Sequence, residues 1–402
     1  MRRKRLQKET REWVNEGIIS SEQEAMILNR YLNKNRHFLL IIFASLFIGL
    51  GFLTFIASNW SFIPAYGKMA IILCSMLAFY LSGEYVYRKK STMVGMSLII
   101  IGLLIFGAGI FLTGQMYHYT YAQATPFVIW SLASFFLFVA YQHAPIFVVA
   151  IVITTVGQLY SAFTFHSFNV WLCFLLLLAF GHYTYHQARY LYSYLFAASF
   201  VIQSLVFIGV ERSEYYWLLI FMFLLYIIGD VSKKVVIHEA FRAVSLLSLF
   251  VLAIVHVFIL GEDFFFYEDR EFNLFFMIVW SLLFVAFITL KVAFKQYNHL
   301  TELALFLPVF YIAFGDMVAM LCLFIFSLGL LINGYQEENN NLIMFGTGAF
   351  LISTLIAYVH IAWAFLDKSL FFFIGGIILF AFSYFLERKR RMVRKSKGGA
   401  GK

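Results

Sequence analysis

Charge is scarce in these 402 residues. Asp, Glu, Lys and Arg make up 13% of the chain against 62% hydrophobic residues, whereas soluble domains carry about 25% charged residues. That shortage excludes a soluble globular protein, because only a chain with many membrane spans can place so much apolar side chain. Cysteine is nearly absent too. Cys74, Cys173 and Cys322 fall in separate apolar runs without CxxC or Cys/His spacing, so neither a disulfide framework nor a zinc site is expected. No HExxH, GxSxG, Walker A or GxGxxG motif occurs, so nothing names a nucleophile, a base or a cofactor cradle. An enzyme is not favoured and no cofactor is expected. A strict GxxxG is missing as well, which removes glycophorin-type helix dimerisation.

What is abundant is aromatic and aliphatic side chain. Fifty Phe and 24 Tyr with a mean hydropathy of +0.83 make bulky spans with aromatic interfaces, as bilayer boundaries favour. The net charge of +9 would point to nucleic acid in a soluble protein. Here the basic residues sit at the ends of apolar runs, so anionic lipid headgroups at the cytoplasmic face are the expected partners, and nucleic acid is not. Residues 1–37 are basic and polar, and the apolar run from Phe38 is span-length. It is expected to stay as a span rather than act as a cleaved signal.

Fourteen apolar segments follow, at 38–57, 66–87, 92–113, 126–141, 145–162, 168–181, 191–210, 215–229, 243–260, 272–290, 301–315, 317–334, 341–360 and 369–386. The fold expected is an all-α integral membrane protein, a compact bundle of about 14 transmembrane helices. The count falls to 12 if 301–334 is re-entrant. Roughly 25 residues per segment, against about 20 for one crossing, leaves no room for an inserted soluble domain. Of the 30 Lys and Arg residues, only Lys68, Arg212, Arg270 and Lys368 fall in outer loops when the N-terminus is inside. The positive-inside bias therefore puts both termini in the cytoplasm. The organisation expected is a hairpin at 1–37, a bundle at 38–386 and a basic tail at 387–402.

The hairpin is read from local signals. Leu6, Thr10, Trp13 and Val14 share one helix face, Gly17 suits a helix end, and Ser20 or Ser21 with Gln23 or Glu24 forms a capping box before a second helix. Such a hairpin could pack on the membrane surface or dock a cytoplasmic partner protein through residues 6–35.

The candidate substrate contacts lie at the outer ends of spans. Gly114-Gln115-Met116-Tyr117-His118 ends one apolar run, and Gly157-Gln158-Leu159-Tyr160 ends another 43 residues on. Each precedes a return span with a tryptophan, Trp130 or Trp171, which suggests a duplicated helical hairpin of the kind that builds transporters. An unpartnered buried amide costs roughly 2–7 kcal/mol, so Gln115 and Gln158 must bond another helix, meet water or meet substrate. Asn59 and Trp60 join them after the first span, and Asp316 stands between two short spans as a helix cap or a coupling carboxylate. His182 and His186 have i, i+4 spacing but no third ligand. The acidic stretch Gly261–Asn273 lacks the alternation of an EF-hand loop, so no metal is expected. Glu302 lies near an inner helix start, and Glu84 precedes Arg88 by four as a surface pair.

The stretches TREWVNEGIISSEQEAMILNRY, FLTFIASNWSFIPAYGK and GAGIFLTGQMYHY resemble the bacterial membrane family called domain of unknown function 2157, and LDKSLFFFIGGIILFAFSYFLERKRR is similar to the ends of its members. The family pattern matches Trp13, Gly17, Ile18, Ser20, Asn59, Trp60, Gly114, Gln115, Tyr117 and His118. The resemblance implies a multi-pass protein of the bacterial inner membrane and assigns no activity. Two function classes fit the residues. One is a transporter or carrier of a small or lipid-linked envelope molecule, with its outer gate near Asn59-Trp60 and Gln115–His118. The other is a non-transporting scaffold or sensor that docks a partner through its hairpin.

Overall fold

The computed structural model describes residues 10–24, 63–117, 123–261, 272–294, 296–312 and 314–365, with Met26, Ala44, Phe47, Gly51, Thr54, Gly376, Ile377 and Phe380. Among the described residues there is no strand. Among the same residues eight helices are long and apolar enough to cross a membrane, and two shorter apolar helices, Thr125–Tyr141 and Trp217–Val231, accompany them. The proposed spans at 38–57 and 369–386 lie outside the described residues, apart from isolated positions. The chain divides into two compact units, Met1–Leu175 and Leu176–Lys402, where hydropathy alone suggested one bundle.

At the N-terminus, helical turns at 10–15 and 21–24 flank Gly17, whose φ of 72° is the left-handed conformation a helix end requires. The Ser20 backbone N–H donates to Gln23 Oε1 (2.9 Å) and the Gln23 N–H donates to Ser20 Oγ (3.2 Å), a reciprocal capping box. Thr10 Oγ1 donates to Glu24 Oε1 at 3.3 Å, tying one helical turn to the next.

The first unit continues with α1 (Ala65–Lys89), α2 (Thr92–Met116), α3 (Thr125–Tyr141), α4 (Ala144–Phe165) and α5 (Val170–Phe174). Prolines mark the starts: Pro64 caps α1, and Pro126 and Pro145 lie in the first turns of α3 and α4, where the missing N–H costs nothing. Small residues set the helix spacing, as they do where lipid supplies no hydrophobic drive for association. A Cβ on Gly95 would meet the Tyr87 backbone nitrogen at 2.3 Å, so α1 and α2 touch backbone to backbone. The Trp130 ring lies over Gly107, and its Nε1 donates to the Leu103 carbonyl at 3.0 Å, which holds α3 to α2. Leu103, Phe127, Ile153 and Leu172 are buried together.

The second unit holds a π-helical stretch (Leu175–Phe180), α6 (Gly181–Gln187), α7 (Tyr190–Val210), α8 (Trp217–Val231), α9 (Val235–Ile259), α10 (Leu274–Ala293), two 3₁₀ segments (Tyr297–Phe306 and Val309–Tyr311), α11 (Gly315–Gln336) and α12 (Asn340–Phe365). Here the sequence expectation needs correction. Residues 301–315 are not an α-helical span but hold the end of one 3₁₀ segment and the whole of the other, and α11 after them is a full 22-residue helix. The 297–312 segment nevertheless runs from one end of the unit to the other. Near its start, Asn298 Nδ2 donates to Gln336 Oε1 (2.9 Å) at the end of α11. Near its finish, the Tyr311 hydroxyl accepts from the Asn273 N–H (3.2 Å) at the start of α10. A 3₁₀-helix rises about 2.0 Å per residue, so these residues cover roughly 30 Å, the length of a twenty-residue α-helix. Pro308 separates the two segments and removes a backbone donor.

Irregular backbone at membrane depth persists only where protein covers it. Leu305, Phe306, Val309 and Phe310 are buried in the core of the unit, with Phe306 4.1 Å from Phe223 between ring centroids. Orphan carbonyls are met by side chains: Trp280 Nε1 donates to Phe306 O and Asn333 Nδ2 to Asn298 O, both at 2.8 Å. Helix α11 lies against this crossing through Gly329, where a Cβ would be 2.1 Å from Thr301 Oγ1. Replacement Gly329→Leu is therefore expected to overpack this contact by about 1–3 kcal/mol. A lowered midpoint in detergent thermal unfolding checks it, and a wild-type midpoint would show that α11 does not press on the crossing.

Candidate functional site

The charged side chains that matter sit at one end of the second unit, where α8 and α10 finish and α9 begins. Gly229 lets the last turn of α8 approach α9, since a Cβ there would be 3.0 Å from Phe241 Cβ. This brings Asp230, in the last turn of α8, to 3.2 Å from His238 Nδ1. Lys291 ends α10, and its Nζ lies 2.7 Å from Asp230 Oδ2 and donates to Gln296 Oε1 at 3.1 Å. Lys291 is 0% exposed and the Asp230 side chain 3%. An ammonium so buried is tolerable only because it is paired.

A second pair sits beside the first. Glu302 on the 3₁₀ crossing is 1% exposed, and the Arg242 guanidinium grips both of its carboxylate oxygens, with Nε to Oε2 at 3.1 Å. Arg242 is the eighth residue of α9, about 10 Å from that helix's start, so it is inside the helix rather than in the loop where the sequence reading placed it. The Tyr226 hydroxyl donates to Glu302 Oε2 at 2.5 Å, and its ring lies 4.9 Å from Lys291 Nζ, so one tyrosine touches both ion pairs. His299 Nδ1 is 2.7 Å from an Arg242 terminal nitrogen and 3.1 Å from Glu302 Oε1. Bare, that nitrogen accepts from arginine; protonated, it donates to the carboxylate; it cannot do both. The site thus contains two carboxylates, two fixed cations and two histidines, and is neutral when the histidines are neutral.

The sequence-predicted contacts are placed differently. Asn59, Trp60 and His118 lie outside the described residues, as does the Gln115 side chain. Tyr117 follows the end of α2 and is exposed. Gln158 is fully buried, with its amide against the backbone of Asn169; with oxygen toward the Asn169 N–H and nitrogen toward the Asn169 carbonyl, both bonds are 3.1 Å. Asn169 in turn caps α5 through the Trp171 and Leu172 N–H groups. Tyr160 packs among Phe111, Phe127 and Phe165. Asp316 opens α11 and pairs with His360 Nε2 on α12 at 3.0 Å.

The two glutamine motifs are not structurally equivalent. Gly114–Met116 finishes α2, whereas Gly157–Tyr160 lies inside α4, which continues to Phe165. Trp130 is hydrogen-bonded within the first unit, while Trp171 is 68% exposed. The duplication read from these motifs is therefore corrected. Glu84 does pair with Arg88, and it also accepts from the Tyr141 hydroxyl at 2.5 Å, an inter-helix contact the sequence did not suggest. Among the described residues no group of three His, Cys, Asp or Glu could hold a metal ion.

Sequence reading missed the network of Asp230, Arg242 and Lys291, and treated Glu302 alone. The available signal was Pro308 in mid-segment, which argues against a plain α-helical span and so against Glu302 merely starting one.

A family model described as "Predicted membrane protein (DUF2157)" matches residues 11–147. No curated protein and no solved structure matches the chain. The matched stretch lies within the first unit, so the buried charge network lies wholly beyond it.

Losing one partner of a buried pair leaves an uncompensated charge, worth about 3–5 kcal/mol. Losing one neutral donor costs about 1–3 kcal/mol. Lys291→Met is accordingly expected to destabilise the protein more than Tyr226→Phe. Detergent unfolding midpoints test the ranking, and a larger loss in Tyr226→Phe would contradict the assignment of Asp230 to Lys291.

Proposed function

We propose that this chain is a carrier of the bacterial inner membrane that moves a small or lipid-linked envelope molecule. The observation that supports this most is the non-α crossing at 297–312 with Glu302 held between Arg242, His299 and Tyr226. Broken crossings recur at the binding sites of carriers, because unwound backbone and helix ends offer polar groups to a ligand. Intramembrane ionisable residues are expensive to keep and mark transport paths or proton relays. His299 Nδ1 faces both the guanidinium and the carboxylate of the Arg242–Glu302 pair, so its protonation decides which of the two it bonds.

In this reading the fourteen proposed spans put both termini and the 1–37 hairpin in the cytoplasm, and the basic tail meets anionic headgroups. Asn59, Trp60, Gln115, Tyr117 and His118 form outer contacts of the first unit, and Asp316 with His360 an outer polar pair of the second. Gln158 and Tyr160 pass from substrate contacts to supports of α4 and α5. A scaffold or sensor is the second reading, and one observation favours it: Ile18 and Met26 in the capped hairpin are 64% and 66% exposed, apolar surface that a partner could cover.

The two readings differ in whether water reaches the crossing. With Cys74, Cys173 and Cys322 removed, Ala304→Cys places one thiol midway along 297–312. A carrier predicts that membrane-impermeant thiol reagents label it, from a side that switches with conditions. Protection from both sides, together with loss of function on deleting residues 1–35, would sink the carrier reading and leave the scaffold.

A further inference from the structure

A groove of about 1360 Å³ opens along the second unit between α7 and α9, away from the ion pairs. Its long walls are apolar, made by Leu205 on α7 and by Leu247, Val251 and Val255 on α9. Leu205, Leu247 and Val251 are 50–65% exposed, so in a membrane the groove opens sideways into hydrocarbon. Along α9 it reaches from Leu247 to Ile259, about 18 Å at 1.5 Å per residue. That is roughly one leaflet of a hydrocarbon core about 30 Å thick. Ser248 on the wall spends its hydroxyl on the Val244 carbonyl at 2.9 Å, so the wall presents no unmet donor there.

Ser248 apart, the polar ones among the described lining residues gather at one end. Ser213, Glu214 and Asn273 line it, between the end of α7 and the starts of α8 and α10. Glu214 is the one charged side chain among the described lining residues. Carboxylates only accept hydrogen bonds, so this end favours a headgroup that carries N–H donors and positive charge and disfavours an anionic one. The Ser213 hydroxyl is a donor suited to the phosphate of a zwitterion.

We propose that this groove binds an amphiphile that enters from the bilayer, lays one leaflet's length of hydrocarbon along α9, and sets a primary ammonium against Glu214. The proposal concerns binding alone, so it stands or falls separately from transport.

The test uses the full chain in phosphatidylcholine nanodiscs. These are doped with either phosphatidylethanolamine or phosphatidylglycerol bearing a photoactivatable acyl chain, and labelled peptides are mapped after photolysis. The expected result is that the ethanolamine probe labels the Leu247–Val255 stretch more than the glycerol probe by roughly threefold to fivefold, the range an interfacial charge pair supports. On the outward face of α1, at Leu77 and Leu81, both probes should label equally, as annular lipid does. Val251→Trp should remove the groove labelling. Glu214→Gln, at an exposed position that leaves the fold untouched, should keep the acyl labelling and erase the headgroup preference. Labelling equal for both probes in the groove and on α1, or preference unchanged by Glu214→Gln, would overturn the proposal.

Discussion

A carboxylate buried inside a protein must be neutralised, and the arrangement of the second unit follows from how Glu302 is. Arg242 supplies the charge and a two-pronged geometry, Tyr226 a hydroxyl, and His299 a ring nitrogen. Because these groups come from α8, α9 and the crossing itself, one side chain fixes three elements. An α-helix satisfies its own backbone and can stand almost anywhere in lipid, but the 297–312 crossing cannot. It relies on Trp280 and Asn333 for two carbonyls, on Gly329 for room, and on Glu302 for register. The Asp230–Lys291 pair, joined through the Tyr226 ring, extends the same constraint to the end of α10.

Charge balance sets this cluster apart from the apolar packing around it. Apolar packing between spans is close-fitting and unspecific in charge, whereas a neutral cluster of two ion pairs can trade partners without creating a net buried charge. His299 makes the trade explicit, since its Nδ1 faces both the guanidinium and the carboxylate. The first unit is built differently. Its helices also approach through glycines, but its buried amide, Gln158, is spent on the backbone of Asn169 rather than on an ion pair.

Much of the fold was legible in the sequence because hydropathy and length decide where a helix can cross. The runs at 66–87, 92–113 and 126–141 became Ala65–Lys89, Thr92–Met116 and Thr125–Tyr141, and Gly17 with Ser20 and Gln23 behaved as local chemistry dictates. The same rule misled where a charge falls inside a helix. Arg242 set the predicted start at 243, although α9 begins at Val235, because an arginine whose partner is distant in sequence looks like a loop residue. At 301–315 hydropathy indicated a crossing but not its form, since apolar content does not distinguish an α-helix from 3₁₀ segments; Pro308 does. The Gln115 and Gln158 motifs looked alike because local sequence does not record how far a helix continues. The site itself was illegible for the same reason: Tyr226, Arg242 and Glu302 are separated by up to 76 residues, and only the fold brings them together.

The most direct test of this account is a double-mutant cycle across the central pair, using Arg242→Met, Glu302→Leu and the two combined, read by equilibrium unfolding in mixed micelles. If the pair holds the crossing, each single change strands a buried charge and costs about 3–5 kcal/mol. The combined variant, with neither of these two charges left to bury, should then be more stable than the sum of the singles by about 0.5–3 kcal/mol. Strict additivity would mean that Arg242 and Glu302 act independently, and that something else positions the crossing.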